Sequence, residues 1–230
     1  MAAIAPVQVL LSWSGGKDSA WALHVLRGDP RFAVVGLLTT VTDEYDRVAM
    51  HGIRRDVLQA QAKAARLPLL EARLPRATDN ATYETCFATA LDQARDRWPG
   101  LSHVAFGDLY LADVRAYRET LCARLGWEPV FPIWGEAADT AALAQRMLAA
   151  GLRATVCCVD TQQVDAALSG RPFDHDLLAD LPIATDPCGE NGEFHTCVHA
   201  GPMFAAPLKL HCGATVLRDA RFAFTDLTVA

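Results

Sequence analysis

Five short apolar segments, separated by amphipathic stretches of helical length, run through the first half of this 230-residue chain. Strands that alternate with helices predict a mostly parallel sheet with right-handed crossovers and helices on both faces, a doubly wound α/β fold. In such folds, ligands sit beyond the carboxyl ends of the strands, near the point where the strand order reverses. The strand candidates are Val7–Ser12, Phe32–Thr42, Pro68–Leu74, His103–Phe106 and Val130–Ile133.

Two of the intervening stretches have a clear helical period. Between Ala81 and Trp98, apolar side chains recur every three or four residues. The same interval is found in Ala112–Leu125, and Gly126 follows where a helix C-terminus favours glycine. If the first and fourth strands are neighbours, the loops that follow them face each other at one edge of the sheet.

The pattern changes after residue 134, which predicts one domain over residues 1–134 and a second over residues 135–230. In the second part, Asp139–Gly151 has the start and stop residues of a helix, and Leu152–Asp160 is typical of a strand. A helical stretch follows at Asp165–Leu181, interrupted at "SGRP", and then two short strands near Ala206–His211 and Arg221–Thr225. These elements predict a smaller C-terminal α+β domain.

The charge balance limits the partners of the chain. There are 21 Lys and Arg residues against 27 Asp and Glu residues, a formal net charge of −6. A broad nucleic-acid surface needs clustered basic residues, so this balance argues against one and leaves room for a local nucleotide pocket. No apolar run approaches membrane-spanning length, and "MAAIAPVQVLL" lacks the basic start and long apolar region of a secretory signal, so we expect a cytoplasmic protein.

The seven cysteines form no Cys-x-x-Cys pair, which argues against structural zinc. Cys122, Cys157 and Cys158 lie in apolar segments. Because free cysteine is commonly buried, we expect these side chains to act as small hydrophobic residues of the core.

The stretch "SGGKDS", Ser14–Ser19, lies between the first strand and an apparent helix. Backbone N–H groups at a helix start are unpaired and carry the positive end of the helix dipole, and glycines let the backbone approach an anion closely. With two hydroxyls and a mobile Lys17 side chain, the stretch predicts a phosphate cradle. It does not fit a Walker A loop, because Asp18 occupies the hydroxyl position. The alternative is a plain strand–turn–helix joint with serines as helix caps.

This stretch resembles the PP-loop signature of the ATP pyrophosphatases, enzymes that split ATP into AMP and pyrophosphate. The resemblance implies a doubly wound sheet of the adenine nucleotide alpha hydrolase type, with ATP as the cofactor. It also implies Mg²⁺, which would offset charge on the departing pyrophosphate. We therefore predict that ATP contacts Ser12, Ser14, Gly15, Gly16, Lys17, Asp18, Ser19 and Gly107.

A second polar constellation lies in "CGENGEFHTCVHAGP", residues 188–202. Glu190, Asn191, Glu193 and His195 crowd around Gly192 and provide proton acceptors and ammonium ligands. The alternative interpretation is a polar turn that leads into a strand "FHTCV".

Taken together, "SGGKDS" and "GENGEFHT" resemble the diphthine–ammonia ligase family. "FGDLYLADVR" and "CARLGWEPVFPIW" are also similar to the middle segment of that family, so the resemblance extends from about Val9 to Leu210. It implies an ATP-dependent, AMP-forming amide ligase that adenylates a carboxylate, after which ammonia displaces AMP. The acceptor carboxylate stays open: diphthine, a modified histidine on an elongation factor, or a different small molecule.

We predict six catalytic residues, Lys17, Asp18, Asp108, Glu190, Glu193 and His195, and substrate contacts at His51, Asn191, Gly192 and Thr196. Asp18 and Asp108 are the expected Mg²⁺ ligands. Asp108 could instead cap the following helix, and His51 could be a solvated residue at a helix start. Arg115 and Arg118, three apart on one helix, either meet phosphate or form surface ion pairs.

Two other functions stay open. A PP-loop enzyme that transfers sulfur to tRNA would need reactive cysteines, and Cys188 and Cys197 flank the acidic loop. A non-catalytic module that binds adenine nucleotides for regulation is the other alternative. The expected partners are a carboxylate acceptor and ammonia, without membrane or nucleic acid, and the oligomeric state is open with a homodimer as one option.

Overall fold

The computed structural model describes residues 5–48 and 51–230, so the first four residues of the N-terminal stretch interpreted above lie outside the described residues. No helix among the described residues is long and apolar enough to cross a membrane. The first half contains six strands and four helices in the described ranges: β1 Val7–Ser12, α1 Lys17–Gly28, β2 Phe32–Thr42, β3 Arg47–Val48, α2 Arg55–Ala65, β4 Leu69–Leu74, α3 Asn80–Arg97, β5 His103–Ala105, α4 Ala112–Leu125 and β6 Glu128–Val130.

Five of these strands form a parallel sheet in the order β4–β2–β1–β5–β6, and the short β3 pairs antiparallel with the end of β2. The predicted doubly wound, mostly parallel sheet is therefore confirmed. β1 lies beside β5, with Val9 opposite His103 and Leu11 opposite Ala105. The order reverses at β1, so the loops after β1 and β5 meet at the carboxyl edge, as expected.

The strand period decides which helices cover each face. Successive side chains of a strand point to opposite faces, so Val9 and Leu11 belong to a different core cluster from Leu10. The cluster of Leu10 includes Phe87 of α3 and Leu121 of α4. The cluster of Val9 and Leu11 includes residues of α1 and α2 and extends into the second half of the chain.

The second half forms an antiparallel sheet in the order β8–β7–β10–β9, which confirms the α+β architecture. Its elements are a 3₁₀ turn at Ala137–Asp139, α5 Thr140–Ala149, β7 Arg153–Asp160, a 3₁₀ turn at Ala166–Leu168, α6 His175–Asp180, β8 Phe194–Ala200, β9 Leu210–Arg218 and β10 Phe222–Val229.

Four predicted segments have other bounds in the structure. The fifth strand covers Glu128–Val130 rather than Val130–Ile133, because Trp134 N–H bonds Phe131 O and closes a turn around Pro132. The region Asp165–Leu181 is helical only at its 3₁₀ turn and in α6, because the chain around "SGRP" runs beside β7: Val156 N–H donates to Arg171 O, and Phe173 N–H donates to Ala154 O. The last two strands begin later and are longer than predicted: β9 covers Leu210–Arg218 and β10 covers Phe222–Val229.

One buried amide ties the two sheets together. Gln61 of α2 has no exposed surface, and its side chain accepts from Trp13 Nε1 at 3.0 Å. Its Nε2 donates to Gly15 O at 2.9 Å and to Val198 O of β8 at 2.7 Å. Since a single apolar cluster also spans both sheets, the division into residues 1–134 and 135–230 stays a prediction.

We expect Gln61→Leu to lower the free energy of unfolding by about 4 kcal/mol, because a similar volume is kept while the indole N–H and two carbonyls lose a buried partner. Chemical denaturation measures the change. Gln59→Leu is the matched control, since Gln59 lies on the same helix and is exposed. Equal losses in the two variants would contradict the assigned role of Gln61.

Candidate active site

The turn after β1 forms a closed cradle at the start of α1. Gly15 has φ +81°, in the left-handed region that favours glycine, and Gly16 is the N-cap residue. Ser14 Oγ accepts from Gly16 N–H at 3.2 Å and lies 3.2 Å from Ser19 Oγ. The serines do not cap the helix, because α1 has no side-chain cap bond, so that alternative was wrong. Their hydroxyls instead line the turn.

The loop after β5 lies directly against this turn. A Cβ atom added to Gly107 would lie 2.9 Å from Ser19 N and 3.0 Å from the carbonyl carbon of Asp18. Both contacts are with backbone, so neither can yield by a side-chain rotation. Glycine at 107 therefore lets the two loops approach, which places Asp108 across from the cradle.

Lys17 is buried rather than mobile, with 2% of its surface exposed. Its Nζ donates to Asp18 Oδ2 at 2.9 Å and to Cys188 O, and it lies 5.5 Å from the ring centre of Phe194. Burial alone would lower the pKa of Lys17, but nearby acidic groups, Asp18 first and then Cys188 and Glu190, together more than offset this effect, and the pKa is raised. The ammonium group is therefore a fixed positive charge under the cradle.

Two carboxylates face the cleft with an unsatisfied oxygen each. Asp18 Oδ1 and Asp108 Oδ2 are buried and have no hydrogen-bond partner among the described residues. Arg118 Nε lies 3.6 Å from Asp108 Oδ2, too far for a hydrogen bond. Burial raises the pKa of both carboxyls. Asp108 is not a helix cap, since α4 begins after Leu111 and has no side-chain cap bond.

The acidic loop before β8 supplies the opposite wall. Glu190 Oε1 accepts from Leu109 N–H at 2.8 Å, and burial raises the pKa of Glu190 to about 7. Burial lowers the pKa of His195 to about 4, so its imidazole is neutral at pH 7, and its ring centre lies 4.4 Å from that of His51. Thr196 Oγ1 accepts from Lys17 N–H at 3.0 Å, which docks β8 on the start of α1.

These side chains enclose a cavity of about 240 Å³. It brings together most of the residues predicted from the sequence. It adds Phe106, Gly189 and Phe194, which were not predicted as site residues, and Arg118, whose role the sequence left open. The predicted residues that line it are Ser12, Ser14, Lys17, Asp18, Ser19, His51, Gly107, Asp108, Glu190, His195 and Thr196.

Three predicted residues lie behind this wall rather than in it. Asn191, Gly192 and Glu193 do not line the cavity. Glu193 is 3% exposed, and its Oε1 accepts from Asp186 N–H at 2.9 Å and from Asn191 Nδ2 at 3.0 Å. Gly15 and Gly16 likewise form the turn without lining the cavity.

A larger cavity of about 750 Å³ adjoins the first, with Ser12, Ser14, His51 and Arg118 common to both. It spreads over the carboxyl ends of β2 and β4. Of its lining residues, the sequence predicted Ser12, Ser14 and His51 as site residues and left the role of Arg118 open. Its lining includes Leu38, Thr40, Thr42, Tyr45, Thr78, Asp79, Asn80, Tyr83 and Tyr117.

The two arginines of α4 have different surroundings. Arg118 lines both cavities and stacks on Phe106, with 4.8 Å from its guanidinium carbon to the ring centre. Arg115 lines neither cavity and pairs with Glu119 at 2.8 Å, one turn away. Arg118 thus lies at the cleft and Arg115 forms an ion pair on its own helix, while a phosphate contact of Arg118 stays a prediction.

The cysteines beside the acidic loop are poor nucleophiles. Cys188 and Cys197 are buried, and burial raises the pKa of each thiol to about 12. A reactive cysteine needs a lowered pKa and access to solvent. Cys122, Cys157 and Cys158 are buried as expected, which confirms their role in the core.

The cradle lies where the strand order of a doubly wound sheet reverses, and carboxylates face it across the cavity. This arrangement defines a nucleotide-binding protein of the PP-loop class. More specifically, the chain belongs to the diphthamide synthase family. The model of the diphthamide synthase N-terminal domain matches residues 7–129, and that of the C-terminal domain matches residues 139–222. This result confirms the family resemblance seen in the sequence.

A curated relative is the diphthine–ammonia ligase of Schizosaccharomyces pombe (strain 972 / ATCC 24843). It is 27% identical over an alignment of 215 residues, and the match covers 86% of this chain and 35% of the relative. The chain therefore spans about a third of the length of that relative.

The raised pKa of Glu190 predicts a pH-dependent stability. A folded-state pKa of about 7, above the ordinary value of 4.5, means that the folded protein binds more protons than the unfolded chain between these values. Stability contributed by the protonated form is present below pH 4.5 and lost as the pH rises through 7. As the pH rises from 4 to 8, the free energy of unfolding of Glu190→Gln should therefore increase by about 3 kcal/mol relative to that of the parent. Denaturant unfolding at each pH measures this difference. A stability difference between the variant and the parent that does not change with pH would contradict this prediction.

Proposed function

We propose that this protein is an ATP-dependent, AMP-forming ligase that adenylates a carboxylate and converts it to an amide with ammonia. The observation that carries the proposal is the meeting, in one cleft, of the cradle at Ser14–Ser19 with Glu190 and His195, which are some 170 residues distant in the sequence. The family and the name of the yeast relative support the same chemistry.

In this proposal the cradle holds the phosphates of ATP. The N–H groups of Asp18 and Ser19 in the first turn of α1 and the hydroxyls of Ser14 and Ser19 would donate to phosphate oxygens, with Gly15 and Gly16 shaping the turn. Ser12 and Gly107 lie at the cavity edges. The nucleoside would occupy the larger cavity, which begins at Ser12 and Ser14.

The residues at the cleft fit a magnesium ion. Asp18 Oδ1 and Asp108 Oδ2 are buried acceptors without partners in the described part of the chain, and Mg²⁺ prefers carboxylate and phosphate oxygens. We assign these two carboxylates as its protein ligands. When bound, the ion would neutralise charge that develops on the departing pyrophosphate. Lys17 holds Asp18 in place through Oδ2, which leaves Oδ1 free.

The acid–base groups suit amide formation. Ammonia is protonated at neutral pH, so the site must remove a proton before nitrogen can attack. Glu190, with a pKa of about 7, can accept a proton at physiological pH, whereas His195 is neutral there and can accept or donate a hydrogen bond. We propose that Glu190 is the base, that His195 and His51 contact the acceptor, and that Thr196 positions the cradle.

Sulfur transfer has less support, because Cys188 and Cys197 are buried and their thiols have raised pKa values. A purely regulatory role has no specific support in the cleft, where Asp18 Oδ1 and Asp108 Oδ2 have no hydrogen-bond donor in the described structure. The homodimer and the cytoplasmic location stay predictions from the sequence.

The reaction is tested with purified protein, ATP, Mg²⁺, ¹⁵N-ammonium and a panel of carboxylates with diphthine as the first. We expect AMP, pyrophosphate and an amide that contains ¹⁵N, in equal amounts. ADP and phosphate instead of AMP and pyrophosphate would contradict the proposal. So would ATP binding without turnover across the whole panel.

The cradle is tested separately by Gly107→Ala. The added methyl group must displace backbone at Asp18 and Ser19, so the affinity for a non-hydrolysable ATP analogue should fall at least tenfold. Isothermal titration calorimetry measures the affinity. Gly28→Ala is the control, since a Cβ atom at the end of α1 meets nothing within 4 Å. Unchanged affinity in Gly107→Ala would place the phosphates elsewhere.

A further inference from the structure

Arg118 of α4 has more hydrogen-bonding capacity than its described neighbours use. A guanidinium group carries five N–H donors. Nη1 donates to Tyr83 Oη at 3.1 Å, whereas Nε is buried and has no hydrogen-bond partner among the described residues. A buried donor of a charged group is costly when it has lost water and gained no acceptor, so its presence calls for an explanation.

Asp108 does not supply the missing acceptor. Its Oδ2 lies 3.6 Å from Arg118 Nε, beyond hydrogen-bond distance, and both atoms are without a partner in the described part of the chain. Both residues line the smaller cavity, and their side chains are 19% and 21% exposed. The opposite charges attract each other across the cleft, but the N–H group of Nε stays without an acceptor.

The guanidinium group is nevertheless held in position. Its central carbon lies 4.8 Å from the ring centre of Phe106, which is 1% exposed. Phe106 is stacked in turn against Phe87 and Phe131, with ring centres 6.5 Å and 5.8 Å apart. The Tyr83 hydroxyl holds Nη1 from the side of α3. A guanidinium group that is already fixed in this way loses little side-chain entropy when it binds an anion.

Arg118 lies where the two cavities meet. The residues that line both are Ser12, Ser14, His51 and Arg118. In the proposed function, the larger cavity holds the nucleoside and the cradle at the smaller cavity holds phosphates. The α-phosphate joins the nucleoside to the other two phosphates, so its place is the junction of the cavities. Of the described Lys and Arg side chains, Arg118 is the one at that junction, since Lys17 lines the smaller cavity alone.

We propose that Arg118 is a catalytic residue that binds the α-phosphate of ATP and stabilises the negative charge that grows there during adenylation. A phosphate oxygen would accept from the unpartnered Nε–H, in a charge-assisted hydrogen bond. Phe106 and Tyr83 are positioning residues, because they fix the guanidinium group. The inference rests on the proposed ligase function and assigns a residue to its first chemical step.

In that step, a carboxylate oxygen of the acceptor forms a bond to the α-phosphorus. The bond from this phosphorus to the oxygen that bridges to the β-phosphate breaks, and pyrophosphate leaves with the electron pair. Arg118 neither gives nor takes a proton. Negative charge builds on the non-bridging oxygens as the new bond forms, so a hydrogen bond from a fixed cation is stronger in the transition state than in bound ATP.

The contact is tested first by binding, without turnover. Calorimetry with Mg²⁺ present measures the Kd of adenosine, AMP and pyrophosphate for the parent and for Arg118→Met, which keeps an unbranched side chain. The gain in affinity from adenosine to AMP reports the α-phosphate and should fall at least tenfold in the variant, while the Kd of pyrophosphate stays within twofold. An unchanged gain from adenosine to AMP would overturn the proposal.

Arg118→Lys keeps the inference testable if Arg118→Met does not fold. It retains the positive charge and most of the aliphatic chain but has no Nε–H, so the gain from adenosine to AMP should fall at least threefold. An equal gain in Arg118→Lys and the parent would contradict the contact through Nε.

The catalytic role is read from carboxylate-dependent exchange of pyrophosphate into ATP. We expect the kcat of Arg118→Met to fall about a hundredfold, as for the loss of one donor to developing charge, while the KM for ATP rises about tenfold. A rise in KM with unchanged kcat would overturn the catalytic role, because Arg118 would then bind ATP and the transition state equally.

Arg115→Met is the matched control, since Arg115 lies three residues earlier on α4, lines neither cavity and pairs with Glu119. Its kcat and its gain from adenosine to AMP should equal those of the parent, and equal losses in both variants would overturn the proposal. A gain that depends on Arg118, without AMP formation from any carboxylate, would overturn the ligase function and support the α-phosphate contact. Normal turnover in Arg118→Met would overturn the role of Arg118 alone.

Discussion

The buried ammonium group of Lys17 is the constraint on which the arrangement of both sheets depends. A lysine with 2% exposure needs a carboxylate and a carbonyl to replace water, and these come from Asp18 and from Cys188 of the second half. The backbone of the same residue donates to Thr196. The N-terminal cradle is therefore complete only when the second half of the chain is docked, because Cys188 and Thr196 lie more than 170 residues after Lys17.

This docking explains why the cleft is acidic and still able to bind anions. The ammonium group of Lys17 and the start of α1 supply positive charge. Asp18 and Asp108 each have an oxygen without a hydrogen-bond donor, and burial raises the pKa of Asp18, Asp108 and Glu190. Such groups gain most from a ligand that brings the opposite charge. Carboxylate oxygens without donors and groups with shifted pKa values thus lie where magnesium, phosphate and a transferable proton are each proposed to act.

The sheet and the cradle could be predicted because their signals are local. β1 and β2 have the predicted bounds, and Gly126 ends α4 with φ +66°. The roles of Gln61 and Arg118 could not be predicted, since a polar residue on a helix shows its partners only after distant segments pack. Glu190 and Glu193 looked equivalent in the sequence, and their separation depends on how the loop closes on Leu109 and Asp186.

That separation has a chemical consequence. A carboxylate that acts as a base needs access to the reacting groups and a pKa near the working pH. Here Glu190 faces the cradle with a raised pKa, and Glu193 lies three residues later behind the wall, held by backbone and amide donors. Gly192, with φ +82°, lies between the two residues, and the same loop brings Glu190 to the cavity while Glu193 stays out of its lining.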